Sequence, residues 1–194
     1  MTRMRSIIGL VRLLARFRRD ARGVSAVEFA MVLPLMVILF VGVVQVSELA
    51  SLKRKTTLVA RAVADLVAQV SSIDQNEMNN VMAAGTAVIA PFPTGKLKIR
   101  ISSVKIDANK NATIAWSKVN AASSDWAVNA TNAPVTLDDA LKIANSYLMM
   151  AEVSYEHQPP LGYGITGALS LTPDKVSDKI FMRPRLSDQV TWVN

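Results

Sequence analysis

The sequence contains no cysteine and only one histidine, His157. Without thiols the chain can form neither disulfides nor thiolate metal sites, and it has no cysteine nucleophile. A histidine-based metal site or a Ser-His-acid arrangement would have to rest on His157. That residue lies at the end of a predicted strand close to Pro159 and Pro160, where we expect a surface histidine. These absences disfavour an enzyme.

Two further patterns could indicate chemistry, but their surroundings argue against it. Gly162, Gly164 and Gly167 form a G-x-G-x-x-G string that precedes no predicted helix, so we interpret it as a flexible turn and not a dinucleotide loop. Asp138 and Asp139 follow Thr136 in a capping pattern, which favours a helix start over a metal pair. We therefore expect no cofactor, no metal and no small-molecule substrate.

Charged residues are missing from Phe29 to Val46, and Gln45 is the only strongly polar residue in that run. Eighteen helical residues rise by about 27 Å, close to the thickness of the hydrocarbon core of a bilayer. Pro34 lies inside the run and predicts a kink, which membrane helices tolerate. The pattern predicts one transmembrane helix over residues 24–47.

The positive charge is concentrated before this run. The 23 residues that precede Val24 contain seven arginines and one acid, Asp20, whereas the whole chain carries a net charge of +7. Basic residues beside a transmembrane span orient that side towards the cytoplasm. We therefore expect residues 1–23 to be a basic cytoplasmic leader. Within it, Ser6–Phe17 is either an amphipathic helix that lies on the inner leaflet or merely a basic flank of the span. We expect no nucleic-acid partner, because the basic residues are explained by membrane orientation.

The helix is predicted to continue beyond the membrane as a stalk over residues 48–72. Apolar residues recur there at alternating spacings of three and four, which predicts one buried helical seam. Two interpretations are open: the seam packs on the chain's own domain, or it forms a coiled coil with another chain. The seam consists of Leu49, Leu52, Thr56, Val59, Val63, Leu66 and Val70.

Residues 73–194 are predicted to form an α+β head outside the cytoplasm. Asp74 and Glu77 form a capping box that starts a second helix ending near Ile89. The other predicted elements are strands at 97–106, 113–119, 147–157 and 179–183 and a short helix at 137–145, joined by loops at 120–136 and 159–167. Alternation slips at Ser102–Ser103, which suggests a β-bulge. The predicted fold class is α+β, with an antiparallel sheet beside a long N-terminal helix.

Glu28 is a carboxylate near the start of an apolar run, where burial in a membrane is costly. It can simply reach the lipid headgroups from the end of the helix. A second explanation supposes that the chain is cut between Gly23 and Val24. Glu28 would then be the fifth residue of the mature chain and could neutralise the new terminal ammonium in a medium of low dielectric constant.

The sequence Arg-Gly-Val-Ser-Ala-Val-Glu-Phe-Ala-Met-Val-Leu-Pro-Leu at residues 22–35 resembles the TadE-like minor pilins of the tight adherence (Tad, Flp) pilus system. The charged residues 53–55 and the ending at 182–186, followed by Trp192, are also similar. The strong likeness covers roughly residues 18–70.

The resemblance implies a pseudopilin that a prepilin peptidase cuts between Gly23 and Val24, with Glu28 and the adjacent Phe29 serving assembly. It implies a single-pass protein of the bacterial inner membrane with a periplasmic C-terminal domain, possible incorporation into the extracellular pilus, and a role in surface attachment. The implied partners are the peptidase, other Tad pilins and pseudopilins, and the pilus assembly platform. The alternative is an uncut bitopic envelope protein with an extracytoplasmic binding module, and an envelope enzyme is the third hypothesis.

Overall fold

The computed structural model describes residues 23–120, 126–157 and 175–193. It contains a long apolar N-terminal helix, a second helix and an antiparallel sheet, so the predicted α+β class is confirmed. The predicted helix at Ser6–Phe17, the glycine string at 162–167 and the loop at 159–167 lie outside the described residues.

Helix α1 extends over Val24–Ala68 and includes Pro34. The prediction that the apolar helix continues well beyond Val46 is therefore confirmed. The chain divides into two compact units between Val46 and Ser47. In the first unit, the most apolar stretch of α1 has no buried residue. In the second unit, the rest of α1 packs on the sheet.

Helix α2 extends over Gln75–Val88, and its start is the one predicted from the sequence. The side chain of Asp74 accepts a hydrogen bond from the Glu77 backbone N–H at 2.8 Å, and the Glu77 carboxylate accepts one from the Asp74 N–H at 3.2 Å. Both halves of the capping box are therefore formed, which satisfies two backbone donors that the helix itself leaves without partners.

The main sheet has four antiparallel strands in the order β3-β2-β4-β5. A two-residue strand between the helices, β1, pairs in parallel with a strand at the end of the chain, β6. The longest strand is β4, as predicted. The strands are β1 Ser72–Ile73, β2 Leu97–Ile106, β3 Ala112–Val119, β4 Ser146–Glu156, β5 Lys175–Met182 and β6 Thr191–Trp192.

The predicted bulge is present, but it does not cause the slip in alternation. Ser103 pairs with Trp116 and Val104 with Ile114, so the extra residue, Ala115, lies on β3. On its other side β2 pairs with β4 without a shift. The slip needs a different explanation.

That explanation is a sheet covered on both faces. One face packs on the helices, and the other packs on the segment that contains Leu137. Because alternate residues of a strand point to opposite faces, β2 changes its apolar phase where burial passes from one face to the other. The helix-side residues of β2 and β4 are Leu97, Ile99, Ile101, Met149, Ala151, Val153 and Tyr155. Those of the opposite face are Val104, Ile106, Leu148 and Met150.

In the second half of the head, one sequence prediction was wrong and one was incomplete. The helix expected over 137–145 is only a 3-10 turn at Asp139–Leu141, and its cap is Asp138, not Thr136. Three residues provide too few hydrogen bonds to propagate a longer helix without tertiary support. The strand expected at 179–183 begins earlier, at Lys175, and β1 and β6 were not predicted at all.

The seam on α1 packs on the chain's own sheet and second helix, which confirms the first of the two interpretations. Leu52, Val59 and Val63 are fully buried in the same cluster as the helix-side strand residues. Leu66 departs from the prediction, since it is 38% exposed while Val67 is buried. A straight α-helix repeats every 3.6 residues, so its buried face drifts away from a heptad seam.

Gly85 on α2 permits the close approach of three elements. A Cβ atom at this position would lie 2.6 Å from Cγ2 of Val63 on α1 and 2.9 Å from Cδ1 of Ile99 on β2. Real Cβ atoms do not approach carbon that closely, so only glycine fits without displacing its neighbours. The absence of a side chain therefore positions α2 against both α1 and the sheet.

Candidate processing and assembly segment

The four residues predicted for processing and assembly lie together at the start of α1. Gly23 precedes the helix, Val24 is its first residue, and Glu28 and Phe29 follow one turn later. Residues four apart lie on nearly the same side of an α-helix. The backbone nitrogen of Val24 and the carboxylate of Glu28 are thus neighbours along one side of the first turn.

This segment is accessible throughout. Val24 is 54% exposed, Phe29 is 60% exposed, and Gly23 and Glu28 are also exposed. A Cβ atom at Gly23 would meet nothing within 4 Å. Packing of the described residues therefore does not require a glycine at position 23, in contrast to position 85.

The apolar residues that follow Phe29 are exposed all around the helix. Within the described part of the chain, α1 is the one helix long and apolar enough to cross a membrane. A helix that is apolar on every side and uncovered by protein needs an apolar surrounding, which a bilayer or neighbouring membrane helices supply. The large exposed side chains are Met31, Val32, Leu33, Leu35, Met36, Val37, Ile38, Leu39, Phe40, Val43, Val44 and Val46.

Among the described residues of the head, Glu152 on β4 has a largely buried carboxylate, but its surroundings indicate a structural role. Its oxygens lie 2.6 Å from Nε of Arg100 and 2.8 Å from Nζ of Lys179. Burial acts to raise the pKa of Glu152, and it is the largest single influence. The hydrogen bonds and charges of Arg100 and Lys179 together outweigh it and hold the pKa below its usual value. A carboxylate that remains ionised between two cations bridges β2, β4 and β5.

His157 is buried, so the expectation of a surface histidine was wrong. Its side chain is only 3% exposed, and no described residue hydrogen-bonds its Nε2. The residue directly follows β4, an inner strand with a neighbour on each side, and this position keeps it inside the unit despite the nearby prolines. Among the described residues, no group of three histidine, aspartate or glutamate side chains is arranged to hold a metal ion.

Asp138 and Asp139 do not act as a pair. The side chain of Asp138 accepts a hydrogen bond from the Ala140 backbone N–H at 3.0 Å. The carboxylate of Asp139 lies 2.7 Å from Nζ of Lys142, and this bond is the main reason that its pKa is lowered. The prediction of a helix start at these residues is thus correct for one turn.

Comparison with known proteins bears on the same N-terminal segment. The model of the TadE-like protein family matches residues 23–65. No curated protein and no solved structure is significantly similar to the chain. The match begins at Gly23 and includes Glu28, the whole apolar run and most of the helical part that packs on the head.

The match confirms the recognition made from residues 22–35. TadE-like proteins are a structural family of the Tad pilus system, and one apolar helix near the N-terminus fits such a single-pass membrane protein and association with pilus components. Over residues 23–65, the chain is therefore similar to the TadE-like protein family.

Proposed function

We propose that the protein is a minor pilin (pseudopilin) of the tight adherence pilus, cut by a prepilin peptidase between Gly23 and Val24. Residues 1–23 are the cytoplasmic leader, 24–47 the transmembrane helix, 48–72 the stalk and 73–194 the head on the periplasmic side of the inner membrane. The protein acts in pilus assembly and surface attachment, and it has no catalytic activity of its own. Its partners are the peptidase, other Tad pilins and the assembly platform.

The observation that carries the proposal is where the family match begins. Its first residue is Gly23, directly before α1, and Val24 would become the mature N-terminus. A peptidase needs an accessible peptide bond, and both residues are exposed. The most apolar stretch of α1 has no buried residue, and it is available for other membrane helices.

Cleavage would create a charge at the start of α1 that Glu28 can neutralise. A terminal ammonium and a carboxylate attract each other strongly where water is scarce. The partner ammonium can belong to the same chain, one turn away, or to a neighbouring subunit. In the second arrangement, Glu28 selects for correct alignment of neighbouring subunits. A subunit inserted at the wrong depth leaves both the carboxylate and the ammonium without partners.

The mature N-terminus tests the proposal. We expect mass spectrometry of the protein extracted from membranes to find Val24 as the first residue in cells that contain the peptidase. Cells without the peptidase are the control, and there the leader should remain. An N-terminus at Met1 or Thr2 in peptidase-containing cells would contradict the proposal and favour the uncut bitopic protein.

A further inference from the structure

Three consecutive cations, Lys53, Arg54 and Lys55, follow the apolar run on α1, and within the described part of the chain one of them, Lys53, forms an ion pair. Nζ of Lys53 donates to the Ser177 carbonyl at 2.6 Å and lies 3.7 Å from the Asp178 carboxylate, so this lysine fastens α1 to β5. Neither Arg54 nor Lys55 forms an ion pair with a carboxylate of the described residues.

Arg54 and Lys55 border an open groove between α1 and the turn that follows α2. The floor is apolar: Leu58 is 50% exposed, and Phe92 is half-buried. The basic groups make only weak contacts, at 3.5 Å from Arg54 to the Ser51 hydroxyl and 3.4 Å from Lys55 to the Val88 carbonyl. The groove is lined by Ser51, Arg54, Lys55, Leu58, Pro91 and Phe92.

The position of the groove along the chain favours a lipid ligand. Arg54 follows Val46 by eight residues, and eight helical residues rise by about 12 Å. Side chains of a helix tilt towards its N-terminus, and the contact of Arg54 with Ser51 shows its guanidinium turned in that direction, towards the apolar run. Long basic side chains can extend in this way to lipid headgroups while their stems cover apolar surface.

We propose that this groove binds the headgroup of an anionic phospholipid. The lipid belongs to the leaflet on the head's side of the membrane, where α1 emerges near Ser47. Arg54 and Lys55 supply the charge complementary to the phosphate, and Leu58 and Phe92 form the apolar wall against which the headgroup packs. The inference rests on membrane insertion of α1, which belongs to the proposed function, but not on cleavage at Gly23. Its consequence is that anionic lipid holds the head against the membrane surface.

The absence of cysteine permits a direct test on the full chain. Leu58→Cys places a single thiol in the groove for an environment-sensitive fluorophore. The labelled protein is inserted into nanodiscs of phosphatidylcholine with increasing fractions of phosphatidylglycerol. We expect a saturable blue shift as the anionic fraction rises and no comparable shift in phosphatidylcholine alone.

The charge variants separate this site from general surface attraction. Arg54→Gln with Lys55→Gln should raise the phosphatidylglycerol fraction at half-maximal shift roughly tenfold or more, since each basic residue near a membrane surface contributes about fivefold to binding and two contribute about 25-fold. Arg61→Gln is the matched control, because Arg61 is exposed and seven residues further along nearly the same side of α1. It should change the half-maximal fraction less than about twofold, as attraction weakens over a Debye length.

Four results would contradict the proposed lipid site or the membrane insertion on which it rests. A signal that does not respond to phosphatidylglycerol, or equal effects of the Arg61 and the Arg54–Lys55 variants, would overturn the lipid site. A shift produced by inorganic phosphate in neutral nanodiscs would also overturn it, in favour of general anion binding. Failure of the protein to enter nanodiscs would instead count against membrane insertion, and thus against the proposed function.

Discussion

Glu28 is an exposed carboxylate at the start of a helix that is otherwise apolar for its next 16 residues, up to Val44. We predict that Glu28→Ala reduces incorporation into pili and surface attachment at least tenfold while insertion into the membrane is unchanged. Removal of one carboxylate makes insertion easier, but in the cleaved chain that we propose it leaves the terminal ammonium without its partner. Incorporation is measured in sheared pili and insertion by carbonate extraction.

Glu28→Asp is the control that separates the charge of the side chain from its length, because aspartate keeps the carboxylate on a shorter side chain. Partial function in that variant and none in Glu28→Ala would locate the requirement in the charge. Normal attachment by Glu28→Ala would reduce Glu28 to a residue that merely reaches the headgroups.

At the same scale, Glu152 makes the stability of the head depend on pH. Its pKa is lowered in the folded protein, so its stabilising contribution is complete above the usual value near 4.5 and is lost as pH falls through the folded pKa. We predict that Glu152→Gln costs about 1–3 kcal/mol at pH 7, typical for hydrogen bonds to charged groups, and costs progressively less below pH 4.5. Denaturant unfolding of the two proteins at pH 7 and below pH 4.5 measures the cost at each pH.

Glu156→Gln provides the comparison. Its carboxylate lies 2.9 Å from Nζ of Lys98, but the Glu156 side chain is 44% exposed, so we expect a change below about 1 kcal/mol. If the two variants lose the same free energy of unfolding, the burial of Glu152 between its two cations adds nothing to the stability of the head.

At the scale of elements, the contact between α1, α2 and β2 depends on Gly85. We predict that Gly85→Ala destabilises the head by about 1–3 kcal/mol, because the added methyl overlaps Val63 and Ile99. The sign of this change in stability is informative, because alanine in a helix interior is otherwise about 1 kcal/mol more favourable than glycine. Thermal unfolding of the detergent-solubilised chain measures the change.

Gly95 offers a matched substitution, because a Cβ atom there would meet nothing within 4 Å. Gly95→Ala should leave the midpoint of unfolding nearly unchanged. A midpoint for Gly85→Ala at or above that of the unmodified protein would contradict the close packing of the three elements.

The end of the chain holds the end of α1 in place, also at the scale of elements. The Arg185 backbone N–H donates to the Ala68 carbonyl at 2.8 Å, and the Arg185 side chain pairs with Asp65. The Thr191 N–H then donates to the Ser71 carbonyl at 3.0 Å, beside the β1–β6 pair. Carbonyls at the end of a helix need such donors, so the segment around Arg185 completes the helix and attaches it to the head.

At the scale of the whole molecule, residues from Ser47 onward have a core of their own. We predict that residues 47–194 without the preceding segment form a soluble monomer that unfolds cooperatively. The seam of α1 is already covered, so no second chain is needed to bury it. Sedimentation gives the mass, and circular dichroism follows unfolding.

A shorter chain, residues 71–194, is the control. It lacks Val59 and Val63, which are central to the helix-side core, and it should not fold. A chain of residues 47–194 that associates through its helix would contradict burial of the seam within one molecule.

The sequence by itself determined the features that depend on neighbouring residues. They are the apolar run of α1, the capping box at Asp74 and Glu77, and the segment around Gly23 and Glu28. Each can be recognised because its signal is contiguous in the sequence. The strands β2 and β4 were also predicted, since alternation is a local pattern.

Only the tertiary structure decided which surfaces meet. Whether Val63 faces the chain's own sheet, why alternation slips at Ser102, and that His157 is buried all depend on contacts between residues far apart in sequence. The groove beside Arg54 is of the same kind, because its floor comes from both Leu58 and Phe92. A local pattern specifies that a face is apolar, whereas the partner that covers it is set by packing across the whole fold.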